Sequence, residues 1–528
     1  MKYLFALLFI CACTSFAFGQ GQTVRIYNAD SSVVGTGVVI DGKMNGLWKL
    51  TNPQNGKLLE EGYLKNGKKD GKWVTYHSNS EPHIVSEYKD NKLNGPLKEY
   101  DNKGYLVVDA IYKDSVVVGQ YKEYYGGAIA AYGYTPGKNL KKEGTFKNGK
   151  LDGEWLSYYE NGQLAIKSNY KNGNLDGAYL EYSREGQLII EVNYVDGQPD
   201  GTFKRYSYNN AVEQIGEYDK GAKVGKWITY FPETKIIASE KEYDEHGNKT
   251  GTWRYFYENR RIARIERYEN DIPVGTWEEY FPNKNLSKRK TYELGVPVGE
   301  YEENHSDGSP SVRGQYSNGV KSGLWKSYYP DGQLYSIGEY RNGVKSGLWK
   351  YFNKIGILIA EGEFQLGSEH GQWFYYYDGG QLKSVGSYFY GFENGKWGLF
   401  YDNKQLTQEE TWNNGRLMNI SEYHTYDGKS TLDKGTLKDG EGSRITYYID
   451  GTKESEGNYH FGKPEGKWMY YHDNGKIASQ GMMENGKKEG RWNYYSRSGK
   501  LIEIITYKDD EIVPNRRPEQ ILPFQNFE

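Results

Sequence analysis

Residues 318–326 read N-G-V-K-S-G-L-W-K, and residues 342–350 repeat all nine letters 24 positions later. Identity at a regular period indicates a repeat architecture, in which each repeat packs on its neighbours. We call the second glycine of this stretch the anchor glycine, and it recurs about every 24 residues. The anchors are Gly46, Gly71, Gly95, Gly119, Gly153, Gly177, Gly201, Gly225, Gly251, Gly275, Gly299, Gly323, Gly347, Gly371, Gly395, Gly442, Gly466 and Gly490.

Each repeat has the same order of residue types. A Trp, another aromatic residue or a Leu usually follows two positions after the anchor, and a Tyr or Phe follows three positions later. A turn such as Pro330-Asp331-Gly332 comes next, and a second aromatic residue such as Tyr340 precedes the N-G turn of the following repeat. Two turn signals in 24 residues predict two strands, so each repeat is expected to be a β-hairpin.

The composition agrees with many short strands rather than a conventional core. Only 37% of residues are hydrophobic, whereas the chain has 52 Tyr, 18 Phe, 13 Trp and 66 Gly. The expected fold is all-β: an elongated, single-layer antiparallel meander of tandem hairpins, sealed by stacked aromatic rows. A Trp and the aromatic residue three positions later should lie on opposite faces. The anchor glycine is expected at a strand entry or at a close backbone approach.

The repeats account for most of the chain, and we divide it as follows. Residues 1–19 have the features of a signal peptide, 20–43 form a lead-in strand or cap, 44–508 are the hairpin repeats, and 509–528 are a tail or cap. An insertion falls near 125–141, and a degenerate repeat near 404–445, with Asn419 in the anchor place, brings the total to about 19. Both cysteines, Cys11 and Cys13, lie in the leader, and lipidation of Cys13 is the alternative to simple secretion.

No catalytic or cofactor chemistry is indicated by the residue pattern. The formal charge of -3 gives no electrostatic case for nucleic acid. No pair of the eight histidines has metal-ligand spacing, and we find neither a nucleophile elbow nor a P-loop. We therefore expect no enzyme, no metal, no cofactor and no transmembrane span in the mature chain.

The pattern N-G-x-x-x-G-x-W-x-x-Y-Y-x-x-G-x-L resembles the MORN-repeat variant of bacterial YwqK-type antitoxin-like proteins, over about residues 34–507. The resemblance implies extended hairpin ribbons that associate with proteins and, in some members, contact lipid. The antitoxin name implies neutralisation of a partner protein. Residues 485–495 are also similar to choline- or glucan-binding cell-wall repeats, which implies aromatic rings exposed for ligand stacking.

These observations predict an exported, non-enzymatic repeat protein that binds or spaces a protein partner at the cell envelope. Binding of cell-wall glycan, a choline-type ligand or lipid, and antitoxin-like neutralisation, stay open as alternatives. The candidate binding residues are aromatic side chains in three consecutive repeats, and a purely structural role is the competing interpretation. They are Trp325, Tyr328, Trp349, Phe352, Trp373 and Tyr376.

Overall fold

The computed structural model describes residues 22–127 and 138–514. These residues form β-strands, turns and irregular segments, with no helix among them. The chain divides into two compact parts, an N-terminal half (Met1–Ile272) and a C-terminal half (Pro273–Glu528). The predicted signal peptide, most of the insertion and most of the tail lie outside the described residues.

In the N-terminal half, each strand pairs antiparallel with the next strand in the sequence. The strands are β1 (Gln22–Tyr27), β2 (Val34–Ile40), β3 (Lys43–Thr51), β4 (Leu58–Lys65), β5 (Lys68–Tyr76), β6 (Pro82–Lys89), β7 (Lys92–Tyr100), β8 (Leu106–Lys113), β9 (Val116–Tyr124), β10 (Leu140–Lys147), β11 (Lys150–Tyr158), β12 (Leu164–Lys171), β13 (Asn174–Tyr182), β14 (Leu188–Val195), β15 (Gln198–Tyr206), β16 (Val212–Asp219), β17 (Ala222–Tyr230), β18 (Ile237–Tyr243), β19 (Lys249–Phe256) and β20 (Ile262–Glu269), followed by the two-residue β21 (Ile272–Pro273).

The C-terminal half continues this sequential pairing and is interrupted once, between β34 and β37. Its strands are β22 (Gly275–Tyr280), β23 (Leu286–Glu293), β24 (Val296–Asn304), β25 (Pro310–Ser317), β26 (Val320–Tyr328), β27 (Leu334–Arg341), β28 (Val344–Phe352), β29 (Leu358–Gln365), β30 (Ser368–Tyr376), β31 (Leu382–Phe389), β32 (Phe392–Phe400), β33 (Leu406–Asn413), β34 (Arg416–Ile420), β35 (Tyr423–His424), β36 (Thr431–Leu432), β37 (Gly442–Tyr447), β38 (Lys453–His460), β39 (Lys463–Tyr471), β40 (Ile477–Glu484), β41 (Lys487–Tyr495), β42 (Leu501–Lys508) and β43 (Glu511–Ile512). The predicted all-β antiparallel meander of sequential hairpins is confirmed.

The N-G signals form two-residue hairpin turns. Arg341 pairs with Val344 across β27 and β28, and the two residues between them, Asn342 and Gly343, have φ of 51° and 83°. Positive φ at both central positions defines a type I′ turn, whose twist matches that of the strands. Asn and Gly tolerate this backbone better than other residues, which explains why the dipeptide recurs.

The anchor glycine has a different role from the predicted close approach. Gly347 lies where the β27–β28 register shifts, in a β-bulge, with φ of 66°. A Cβ built on Gly347 would meet no atom within 4 Å. The prediction of a strand entry or a close approach was wrong at this position: Gly347 is the fourth residue of β28, and it must be glycine for its left-handed backbone.

The close approach occurs instead at another glycine, two residues before the second aromatic residue of the repeat. A Cβ on Gly338 would lie 2.2 Å from the ring of Trp349. Most other Trp rings cover a glycine in the same way, and smaller rings cover larger residues, as Ser168 opposite Tyr179 shows. The other glycines covered by a Trp ring are Gly37, Gly62, Gly144, Gly216, Gly314, Gly362, Gly386, Gly457 and Gly481.

The Trp and the aromatic residue three positions later lie on opposite faces of the sheet, as predicted. On one face, which we call the Trp face, the ring of Tyr351 stacks between those of Trp349 and Trp373, with centroids 6.1 and 6.4 Å away. On the opposite face, the hydroxyl of Tyr376 donates a hydrogen bond to the Glu361 carboxylate. The buried core is therefore a row of indoles on one face of the sheet.

The degenerate repeat departs from the pattern through charge. Arg444 stands two residues after the anchor Gly442, where most repeats have Trp, and it forms a buried ion pair with Glu410. Burial lowers the pKa of Arg444, but the neighbouring Glu410 carboxylate raises it, and the net direction is upward. Asn419 was expected in the anchor place, yet its side chain accepts a hydrogen bond from the Asp439 amide. Residues directly before an anchor do this elsewhere, so Ile420 holds the anchor place.

Candidate functional site

The predicted tryptophans are buried by their own repeats. Trp325, Trp349 and Trp373 are 4%, 3% and 3% exposed. Each indole Nε1 donates to a backbone carbonyl of the preceding strand. The ammonium groups of Lys321 and Lys345 lie 4.2 and 4.4 Å from the ring centroids of Trp325 and Trp349. The three indoles are therefore packed as part of the fold. Their low exposure leaves no open ring face for a ligand.

The other three predicted residues are Tyr328, Phe352 and Tyr376, which are partly exposed. Each stands three positions after its Trp, which places it on the opposite face of the sheet. The structure therefore does not bring the six residues together into one surface. Whether any of them binds a ligand stays a prediction.

Tyr328 lines a shallow groove of about 520 Å³ together with Arg289, Glu302, Arg313 and Lys326. The Arg289 side chain forms ion pairs with Glu278 and Glu302, and Arg313 pairs with Glu302 as well. Because the arginines are neutralised by neighbouring carboxylates, the groove has little charge to offer a ligand.

A stronger candidate lies at the hairpin turns of the C-terminal half. The first turn position is Leu294, Leu366, Tyr390 or Phe461 in four repeats, and these residues are 80%, 77%, 38% and 65% exposed. Their φ values are 47°, 52°, 48° and 48°. Equivalent turns use Asn or Asp, as Asn342 does with φ of 51°.

Large apolar side chains are unfavourable here for two independent reasons. A left-handed backbone costs a residue with a bulky side chain about 1–2 kcal/mol, which Asn and Gly largely avoid. An exposed apolar side chain also gains none of the stabilisation that the burial of apolar surface provides. Residues kept in a strained backbone conformation concentrate at functional sites. The requirements of the fold therefore do not explain this combination.

Contacts between neighbouring turns join Leu294, Leu366 and Tyr390 into one row, whereas Phe461 belongs to a turn of a separate sheet. The Gly343 and Gly367 amides donate to the Lys321 and Lys345 carbonyls of the preceding repeats, at 3.0 and 3.2 Å. The residue after each turn glycine packs against the glycine of the next turn. For example, the Val320 Cβ lies 3.3 Å from the position that a Cβ on Gly343 would occupy. We define the apolar turn row as Leu294, Val296, Val320, Val344, Leu366, Phe389, Tyr390 and Phe392, all of them exposed.

At the first turn position, the N-terminal half has polar residues instead. Its first turn positions also have positive φ, but they carry amide, carboxylate or ammonium side chains. These residues are Asn66, Asp90, Asp114, Asn148, Asn172, Asp196, Lys220 and Asn270. An apolar turn row is therefore a property of particular repeats, and the fold does not require it.

Sequence reasoning missed this row, although a signal for it was present. The dipeptides Leu294-Gly295, Leu366-Gly367 and Tyr390-Gly391 stand where N-G or D-G stands elsewhere. Alignment of the repeats on their turn glycines, rather than on the anchors, shows the substitution.

Two further findings bear on the chemistry available to the chain. The described residues hold no group of three or more His, Cys, Asp or Glu side chains that could bind a metal ion. His77 and His472 instead contact the carbonyl oxygens of Tyr100 and Tyr495, where other repeats use a Tyr hydroxyl. Within the same residues, no helix is long and apolar enough to cross a membrane.

Comparison with known proteins identifies the repeat. The MORN repeat variant matches at residues 151–172, 175–196, 273–293, 321–342, 369–389, 464–485 and 488–509. No curated protein matches the chain. Among solved structures, the crystal structure of TcdB2-TccC3-TEV is matched over 90% of this chain and 31% of that chain, at 9% identity and a TM-score of 0.13. The chain thus spans about a third of the matched protein, and we draw no conclusion about fold or function from a TM-score this low. Seven matches along the chain and the observed hairpins make this protein a member of the MORN repeat variant family.

Proposed function

We propose that this chain is an exported, non-enzymatic protein-binding module or scaffold at the cell envelope, and that a protein partner binds the apolar turn row. The observation that carries the proposal is the set of exposed Leu and Tyr side chains at left-handed turn positions. Contiguous apolar patches with a polar surround are typical of protein interaction sites. Neutralisation of a toxin-like partner would be one form of such binding.

The glycan- or choline-binding alternative has less support. Sugar and quaternary ammonium ligands stack on open aromatic faces. The indole rings of the repeats are instead covered by glycine backbone on one side and, in Trp325 and Trp349, by lysine on the other. The exposed rings of the turn row are few and lie around one turn; they are Phe389, Tyr390 and Phe392.

The test is capture of partners by the mature chain from an envelope extract, with two matched double variants. Leu366→Ser with Phe392→Ser alters the apolar turn row. Asn172→Ser with Asn174→Ser alters a polar turn of the N-terminal half. We expect one protein, captured in stoichiometric amounts, to be lost with the first variant and kept with the second. Equal capture by both variants would contradict the proposal, as would recovery of glycan alone.

Export is proposed from the leader and needs its own measurement. Fractionation of cells that express the full chain should place the protein outside the cytoplasm, without residues 1–19 after simple secretion or with Cys13 at its N-terminus after lipidation. The variant Cys13→Ser distinguishes the two routes, since it changes membrane association only if Cys13 carries lipid. A full-length protein found in the cytoplasm would contradict this part of the proposal.

A further inference from the structure

A second unusual surface lies on the Trp face near the end of the N-terminal half. In regular repeats the positions beside the indole row are small, as Gly338 and Ser336 show. The equivalent positions in β18 and β20 are Lys241, Glu266 and Arg264. Charged side chains therefore occupy places where aromatic packing elsewhere requires glycine or serine.

Several cationic side chains lie close to aromatic rings at this place. The Lys241 and Lys249 ammonium groups lie 5.0 and 5.2 Å from the centroid of Trp253, and the Arg264 guanidinium lies 4.2 Å from that of Tyr255. Lys223 and Trp227 are both on β17, and the Lys223 ammonium lies 4.2 Å from the indole centroid. Burial and the positive charge of Arg205 lower the pKa of Lys223. We call Arg205, Lys223, Lys241, Lys249 and Arg264 the cationic strip.

The positive charge of the strip is largely uncompensated. Within the described part of the chain, the only ion pair made by these five residues joins Arg264 to Glu266, at 3.0 Å. Burial lowers the pKa of Lys241, and the positive charges of Lys223, Lys249 and Arg264 lower it further, with only Glu266 acting in the opposite direction. Like charges this close repel one another, and an anionic ligand would relieve that repulsion.

We propose that the cationic strip binds an extended, acidic segment of a polypeptide. Lys223, Lys241, Lys249 and Arg264 lie on four consecutive strands, β17 to β20, which span about 14 Å at the usual strand spacing. An extended peptide of about five residues covers that length. Nucleic acid fits less well, because Trp227 and Trp253 are buried and cannot stack on bases. The strip is separate from the apolar turn row, and the proposal does not depend on the function of that row.

The test uses a fluorescent octaglutamate peptide as the probe, with the mature chain at low salt. Lys241→Gln with Arg264→Gln should weaken binding at least tenfold. The control variant, Lys226→Gln with Arg254→Gln, removes the same charge from the opposite face and should stay within about twofold of the parent. Far-UV circular dichroism and the thermal unfolding midpoint verify that both variants keep the fold.

Each other outcome overturns the proposal. Failure of the parent chain to bind octaglutamate would do so directly. Equal loss in both double variants would mean that net charge, not the strip, attracts the peptide. Binding of an oligothymidylate, or of vesicles of phosphatidylglycerol and phosphatidylcholine, through the same residues and without peptide binding would assign the strip to another class of ligand.

Discussion

The two halves of the chain use one hairpin unit, but four repeats of the C-terminal half have a large apolar residue at the first turn position. In the N-terminal half this position is filled by residues such as Asn172, and in the C-terminal half by residues such as Leu366, with φ of 51° and 52°. The backbone is the same in both, so the local conformation does not explain the leucine. Comparison of equivalent positions therefore separates what the fold requires, a left-handed backbone, from what it does not require, an apolar side chain.

Equivalent positions on the Trp face also differ between repeats. In the C-terminal half, Gly338 and Gly362 lie directly under indole rings. Near the end of the N-terminal half, Lys241 and Glu266 stand at the equivalent positions. Individual repeats thus depart from the common pattern on different surfaces, with apolar residues at the turns of some and with charge on the Trp face of others.

The largest expected effect concerns the packing that both halves share. Gly338→Val places side-chain atoms within the ring of Trp349, and we expect a loss of about 3 kcal/mol or more in stability. Gly347→Ala meets open space and has only its left-handed backbone to strain, so its loss should be about 1 kcal/mol. Chemical unfolding and amide hydrogen exchange in β27 and β28 measure both. Equal losses would contradict the distinction between the two glycines.

The two proposed surfaces should respond differently to salt. Between about 50 and 500 mM salt, octaglutamate binding to the cationic strip should weaken at least tenfold, because screening acts on the attraction between charges. Binding of the protein partner to the apolar turn row should change no more than about twofold, since apolar contact is not screened. Titrations at several salt concentrations check both. The same steep dependence for both ligands would mean that the turn row is not the site of apolar contact.

A smaller effect should appear in both halves alike at high pH. Burial and a hydrogen bond to a glutamate raise the pKa of Tyr206 and of Tyr471 to about 12, from about 10. The unfolded chain loses these phenol protons first, so their contribution to stability is complete below pH 10 and is lost towards pH 12. Unfolding midpoints measured from pH 8 to pH 12 should fall above pH 10. Tyr206→Phe with Tyr471→Phe should make that fall shallower, and an unchanged slope would argue against this cause.

Much of the fold could be predicted from the sequence because its determinants are local. The N-G dipeptides specify turns, and the 24-residue period specifies sequential pairing. The role of the anchor was mistaken because positive φ and close approach both require glycine, and the letter alone does not separate them. Gly338, the true close approach, was missed because its partner Trp349 lies on the next strand.

The candidate site was harder to predict because it depends on exposure. Trp325, Trp349 and Trp373 were chosen as aromatic residues, but the repeat itself buries them. Leu366 resembles an ordinary aliphatic residue until its turn position and backbone are known. Lys241 and Arg264 likewise read as solvated surface charges, and their position beside an indole emerges only from the strand register.

The central claim is that the C-terminal turns keep apolar residues for binding, at a cost to stability. The most direct test is Leu294→Asn with Leu366→Asn, which restores the residue type of the other turns. The account predicts that stability rises by about 1 kcal/mol for each change, while the affinity for the captured partner falls at least tenfold. Chemical unfolding and binding titrations on the same preparation measure both. Unchanged affinity together with higher stability would contradict the claim, and so would a fall in both.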